Sequence, residues 1–143
     1  MECEFPTINE PSQELENILK TSKTIAIIGL SPNEEKDSYK VTKYLIEAGY
    51  VIYPIYPKEE SILEQKVYRS LSEIEGDIDI VDVFRKPDAL GQVVDEVIAR
   101  GGVKTVWFQL GLANNSAAQK AKDAGLNVVQ SRCIKIEHQR MDK

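Results

Sequence analysis

Four short stretches of this chain carry side chains and glycines suited to holding an anion. They are Gly29, Leu30, Ser31, Asn33, Lys36 and Ser38; Pro54, Tyr56, Pro57 and Lys58; Phe84 and Arg85; and Gln109, Leu110 and Gly111. Glycine lets a ligand approach the backbone closely, serine and asparagine supply short hydrogen-bonding groups, and Lys36, Lys58, Arg85 and the adjacent Lys86 supply positive charge. Such a set can cradle phosphate groups. It contains no nucleophile beside a base, so it reads as binding machinery, and no catalytic residue is assigned.

Each stretch follows an apolar run that would position it. Thr24 to Leu30 is a mostly β-branched run of the kind buried on both faces of a parallel sheet. Ser38 to Ala48 places Tyr39, Val41, Tyr44, Leu45 and Ala48 at helical spacing and meets a stop at Gly49. Tyr50 to Ile55 is a second strand, which Pro54 and Pro57 end by withholding ladder donors. Residues 58–66 read as an exposed loop and Lys66 to Tyr68 as a short edge strand. Further strands are expected at Ile78 to Phe84, Lys104 to Leu110 and Leu126 to Gln130. Helices are expected from Pro87 to about Ala99, stopping at Gly101 and Gly102, and from Asn115 to Ala124. Ahead of these, Leu15, Ile18 and Leu19 make Pro11 to Lys20 amphipathic, so residues 1–23 form a leading helix packed on a domain of residues 24–143.

Strands alternating with helices define an α/β chain with a parallel sheet of about five strands, helices on both faces and right-handed crossovers. In such a sheet the strand order reverses at one point, and ligands bind outside the carboxyl ends of the strands there. The four stretches lie at such ends.

Composition narrows the partners. A length of 143 residues suits one domain. The formal net charge of −5 disfavours nucleic acid and anionic membrane, both of which are bound through clustered Lys and Arg. No apolar segment approaches the roughly 18 residues that span a bilayer. The start, Met1-Glu2-Cys3-Glu4, lacks the basic and apolar regions of a signal peptide, and the expected location is cytoplasmic. Two cysteines, Cys3 and Cys133, and one histidine, His138, are too few for a disulfide framework or a zinc site, so no metal is expected.

A dinucleotide fingerprint needs three glycines in the first turn and an acidic residue after the second strand. Only Gly29 is present, and Tyr53-Pro54-Ile55-Tyr56-Pro57 carries no carboxylate, which disfavours NAD. The Gly-Lys-Ser/Thr of a P-loop is missing as well. An ADP-containing ligand held by a helix amino end, backbone amides and a few cations remains.

Several ordered motifs resemble the small stand-alone CoA-binding domain proteins, related to the amino-terminal domain of the succinyl-CoA synthetase alpha subunit. They are Ile27-Ile28-Gly29-Leu30-Ser31-Pro32-Asn33, Ser38-Tyr39-Lys40-Val41, Gly49-Tyr50-Val51-Ile52-Tyr53-Pro54, Val81-Asp82-Val83-Phe84-Arg85, Val106-Trp107-Phe108-Gln109-Leu110-Gly111, Ala124-Gly125-Leu126 and Arg132-Cys133-Ile134-Lys135-Ile136-Glu137. The resemblance implies a single Rossmann-like domain that takes coenzyme A, with its nucleotide end across the Gly29 loop, the turn after the second strand, and the loops at Phe84-Arg85 and Gln109-Gly111. Tyr56 stands where that family usually has asparagine, and Glu64 where it has glycine. Glu34, Glu35 and Asp37 surround Lys36 with negative charge.

Individual residues also carry plainer expectations. Gly29 could serve tight packing instead of ligand approach, Ser31 and Ser38 could cap backbone amides, and Arg85 with Lys86 could be a solvated pair. Trp107 is expected in the core, Cys133 as a buried inert thiol and His138 on the surface of a charged tail. The leading functional expectation is a non-catalytic module holding CoA or a CoA thioester, with a protein partner or homodimer left open. The alternatives are a subunit of an acyl-CoA ligase-type enzyme, an NAD-type oxidoreductase, and a redox sensor in which Cys133 or Cys3 forms a mixed disulfide with CoA.

Overall fold

The computed structural model describes residues 5–141. Its centre is a five-stranded parallel sheet of β1 (Thr24–Ile28), β2 (Val51–Ile55), β5 (Ile78–Val83), β6 (Val103–Phe108) and β7 (Asn127–Val129). Between them run α2 (Asp37–Glu47), α3 (Leu90–Arg100) and α4 (Asn115–Asp123), with α1 (Ser12–Thr21) before the first strand and α5 (Ile134–Arg140) after the last. The strand order is β2-β1-β5-β6-β7, so the direction of winding reverses between β1 and β5.

Side chains alternate across the sheet because successive residues of a strand point to opposite faces. Ile25 and Ile27 of β1, Ile80 of β5, Trp107 of β6 and Val129 of β7 meet Leu15, Ile18 and Leu19 of α1, Val41 and Leu45 of α2 and Ile134 of α5. Ala26 and Ile28, Val81 and Val83, Val106 and Phe108 meet Leu90, Val93, Val94 and Val97 of α3 and the small face Ala117, Ala118, Ala121 of α4. Each large apolar side chain fully buried in these layers contributes about 1.5–3 kcal/mol. The domain is a three-layer α/β/α sandwich.

Several local features differ from the sequence expectations. Pro54 lies inside β2 instead of ending it, and it is tolerated because β2 is the edge strand of the sheet, flanked on its outer side only by the isolated Tyr68 bridge, to which Pro54 contributes its carbonyl. Residues 58–66 are not a plain loop: β3 (Ser61–Ile62) and β4 (Gln65–Lys66) form a small antiparallel hairpin whose two-residue turn, Leu63-Glu64, has φ of 53° and 65°. Beyond it, Tyr68 bridges to Ile55 alongside β2, where Lys66 to Tyr68 was expected as an edge strand. The charged tail contains the helix α5, which periodicity alone had not flagged. His138 on α5 is not a surface residue. It is 9% exposed, its Nδ1 lies 2.6 Å from the Tyr44 hydroxyl, and its ring stands edge-on to both Tyr44 and Tyr50. Trp107 is fully buried, as expected for a strand interior.

The far edge of the sheet is closed by the chain's own beginning. Glu10 and Val128 exchange backbone and side-chain hydrogen bonds, and Asn9 pairs with the backbone of Gln130. That covers the edge strand β7, whose free groups would otherwise invite another chain.

Candidate functional site

The reversal of strand order places the end of β1 beside the end of β5. Gly29 follows β1 at φ 86°, its N–H donates to the Ile55 carbonyl, and the Phe84 N–H donates to the Ile28 carbonyl. A Cβ on Gly29 would lie 2.4 Å from the Phe84 carbonyl oxygen. The close approach that Gly29 permits is therefore made by the protein's own backbone. Tight packing is the part of the alternative reading that the geometry fills.

The polar side chains of the first loop are ordered among themselves. The Ser31 N–H donates to Ser38 Oγ, the Asn33 N–H to Ser31 Oγ, and the Glu35 N–H to Asn33 Oδ1. These bonds hold the loop against the amino end of α2. A hydroxyl that accepts an amide still has its own O–H to donate, so Ser31 and Ser38 remain donors fixed in direction. Leu30 is wholly buried, backbone included, and anchors the loop in the core.

A cavity of about 750 Å³ opens next to this loop, between the ends of β5 and β6, the amino end of α2 and one side of α5. Of the residues expected at a site, it brings together Phe84, Arg85, Gln109 and Leu110. Its remaining walls are Asp37, Lys40, Val41, Lys86, Pro87, Leu112, Cys133, Lys135, Ile136 and Gln139. A second cavity of about 470 Å³ lies on the α3 side of the sheet, lined by Ile28, Ile55, Arg69, Ser70, Ser72 and Arg85 among others. Arg85 borders both.

The other expected residues sit elsewhere. Gly29, Leu30, Ser31, Asn33, Lys36 and Ser38 form the loop at the cavity's edge without lining it, and Gly111 borders a separate shallow hollow near Phe5. Pro54, Tyr56, Pro57 and Lys58 follow or lie in β2, where the Tyr56 and Lys58 carbonyls both accept from Arg69 Nη1. The Arg69 guanidinium thus ties that turn down.

Electrostatically the cavity is positive on one side. The side chains of Arg85, Lys86 and Lys40 are exposed and make no hydrogen bond or ion pair among the described residues, while Lys135 sits over the Tyr44 ring. Asp37 is the carboxylate on its wall. An unpaired guanidinium retains its full set of donors for a ligand phosphate.

Beneath the site, Asp82 lies in register with Ile27 and Trp107. It is fully buried, neither carboxylate oxygen has a partner among the described residues, and burial pushes its acid well above the ordinary carboxylate range. Burial there favours the neutral acid, because ionising it would leave an unpaired charge in the core.

Gln109 and Cys133 were placed differently by the fold than by the sequence. Gln109 is buried and its Oε1 accepts from the Ile134 N–H. Cys133, expected to be buried, is half-buried and faces the cavity. Cys133, Lys135, Ile136 and Gln139 escaped the site assignment because α5 did; the available signal was the spacing of Ile134, His138 and Met141 at i, i+4 and i+7. Cys3 lies outside the described residues.

The strand order and the strand-end cavities define a doubly wound α/β domain of the Rossmann-like class. Residues 23–139 match the CoA binding domain family model, and the chain belongs to that family. It is 39% identical over 130 residues to the uncharacterized protein YneT of Bacillus subtilis, covering 91% of this chain and 96% of that one. It is 29% identical over 121 residues to an ADP-forming acetate–CoA ligase of Methanocaldococcus jannaschii, covering 80% of this chain but only 17% of the ligase. Among solved structures, a hypothetical protein from Pyrococcus horikoshii superposes with a TM-score of 0.88 at 40% identity, covering 99% of each chain. The chain is thus a CoA-binding domain whose relatives include part of an ADP-forming acetate–CoA ligase. No helix among the described residues is long and apolar enough to cross a membrane.

Proposed function

We propose that this protein binds coenzyme A or a CoA thioester, as a nucleotide-binding module in the cytoplasm, without chemistry supplied by the Gly29 loop. The observation that carries the reading is Arg85. Its unpaired guanidinium borders both strand-end cavities, so an elongated ligand crossing from one to the other passes the same cation. Coenzyme A is such a ligand, with an anionic nucleotide end and a long, largely uncharged arm. The residues present suit it: hydroxyl donors at Ser31 and Ser38 and cations at Arg85, Lys86 and Lys40 for phosphate, and apolar walls at Val41, Phe84 and Leu112 for the arm.

Isothermal titration with CoA, acetyl-CoA, NAD and ATP tests the proposal. Heat is expected with CoA and acetyl-CoA. Arg85→Ala should weaken both by about 10–100-fold, the usual worth of hydrogen bonds to a charged group, with the melting temperature unchanged because Arg85 has no partner to lose. Heat with NAD alone would overturn the assignment.

A second reading, a subunit of an acyl-CoA ligase-type enzyme, draws support from the cavity rim. Leu110 there is 64% exposed, and Ile136 is exposed beside it. A protein partner could cover both while adding the missing base. Stoichiometric co-purification of a second chain would favour that reading.

A further inference from the structure

The wall of the larger cavity includes both a thiol and an oriented amide, and the CoA-binding reading does not use the pair. Cys133 is bracketed by two tethers to the end of β6. On one side Trp107 Nε1 donates to the Arg132 carbonyl at 2.8 Å, and on the other the Ile134 N–H donates to Gln109 Oε1 at 3.1 Å. The thiol is therefore carried on a short segment fixed at both neighbours, and it faces the cavity half-buried.

The same tether orients Gln109. An N–H needs an acceptor, so the oxygen of the side-chain amide must face Ile134 and the nitrogen must face away. Gln109 is only 5% exposed and lines the cavity, yet its Nε2 donates to no described residue. That donor is not sealed in the core, so it is open to a ligand or water in the cavity that Gln109 shares with Cys133, the only free cysteine among the described residues.

We propose that Cys133 is an acyl acceptor, taking the acyl group of a CoA thioester while Gln109 Nε2 donates to the carbonyl oxygen. The proposal rests on the CoA-binding reading. The Cys133 sulfur bonds to the carbonyl carbon as that carbon's bond to the CoA sulfur breaks. The thiol proton leaves with CoA, which departs as a free thiol. One thioester replaces another at the same oxidation level, so no oxidant, reductant or further reactant enters. The negative charge that develops on the carbonyl oxygen during exchange is where a fixed donor acts most strongly. Val41 and Leu112 supply apolar wall for a short acyl chain.

The test is intact-protein and peptide mass spectrometry of the full chain incubated with butyryl-CoA, with Cys3 as the internal reference thiol. One butyryl group is expected on Cys133, formed faster than on Cys3 and faster than from a butyryl thioester of N-acetylcysteamine, which lacks the nucleotide. Cys133→Ser should abolish that adduct. Gln109→Glu keeps an oxygen for the Ile134 N–H and removes the donor. It should slow acylation by about 10²-fold, the usual cost of removing one such donor, and by far more than it slows iodoacetamide labelling of Cys133, which reads only the new carboxylate's effect on the thiolate.

Equal acylation of Cys3 and Cys133, or an equal rate with the nucleotide-free thioester, would overturn the proposal by showing ordinary thiol exchange. So would an unslowed Gln109→Glu variant. Butyryl-CoA that binds by calorimetry yet leaves Cys133 unmodified would refute acyl transfer and leave the CoA-binding reading intact. An absence of any binding heat would remove both.

Discussion

Replacing Gly29 by alanine should destabilise the protein by an amount that the geometry of the sheet reversal sets. Two effects add. A non-glycine residue at φ 86° carries the cost of a left-handed backbone, about 1–2 kcal/mol. The new methyl also meets the Phe84 carbonyl oxygen at 2.4 Å, and relieving it requires the β1 and β5 ends to part, an overpacking cost of about 1–3 kcal/mol. The sum is about 2–5 kcal/mol, centred on about 3.5 kcal/mol, or roughly 10 °C in melting temperature at about 3 °C per kcal/mol for a chain of this size. Gly49 supplies the control. Its φ is 101°, but a Cβ there meets nothing within 4 Å, so Gly49→Ala should show only the backbone cost. The gain from a less flexible unfolded chain is common to both variants and cancels in the comparison. Thermal and urea unfolding of the two variants measure the difference. Faster amide exchange at Gly29 and Phe84, whose N–H groups bond across the same ends, would locate it. If Gly29→Ala melts together with Gly49→Ala, the close approach to Phe84 is not what requires glycine there, and the account of the switch point is wrong.

Two further outcomes follow from the same structure. Asp82 has a folded-state pKa well above its unfolded one, so between those values the folded chain keeps a proton that the unfolded chain has released, and stability falls as pH rises through that window. Asp82→Asn should therefore melt like wild type at low pH and above it at neutral pH; parallel melting curves against pH would contradict a neutral buried acid. Glu64 occupies a left-handed turn position, φ 65°, in the β3–β4 hairpin, where two-residue turns favour glycine. Relief of the backbone cost, about 1–2 kcal/mol, less glycine's own entropy of about 0.5–1 kcal/mol, gives Glu64→Gly a net stabilisation of about 0.5–1 kcal/mol; a lower denaturation midpoint would refute this.

Much of the architecture was legible in the residues alone. The apolar runs at Thr24, Ile78 and Lys104 to Leu110, and the helical spacing around Val41 and Val93, are local patterns fixed by the period of strand and helix, so they survive without knowledge of their neighbours. The ordered motifs carried the family and, through it, the expectation of coenzyme A. Glu64 stood out only as a departure from the family's glycine; that it occupies a hairpin turn came from the structure. What periodicity does not encode is which groups meet. That Gly29 answers to the Phe84 carbonyl, that Ser31 and Asn33 satisfy their own loop, and that Cys133 and Gln109 share a wall depend on the order β2-β1-β5-β6-β7 and on the short helix α5. α5 is too short for its own propensity to sustain it, and packing of Ile134 and His138 onto α1 and α2 holds it in place. Local sequence thus determined the elements and the family, while tertiary packing decided which side chains face the cavity, because distance through space is set by the sheet and not by separation along the chain.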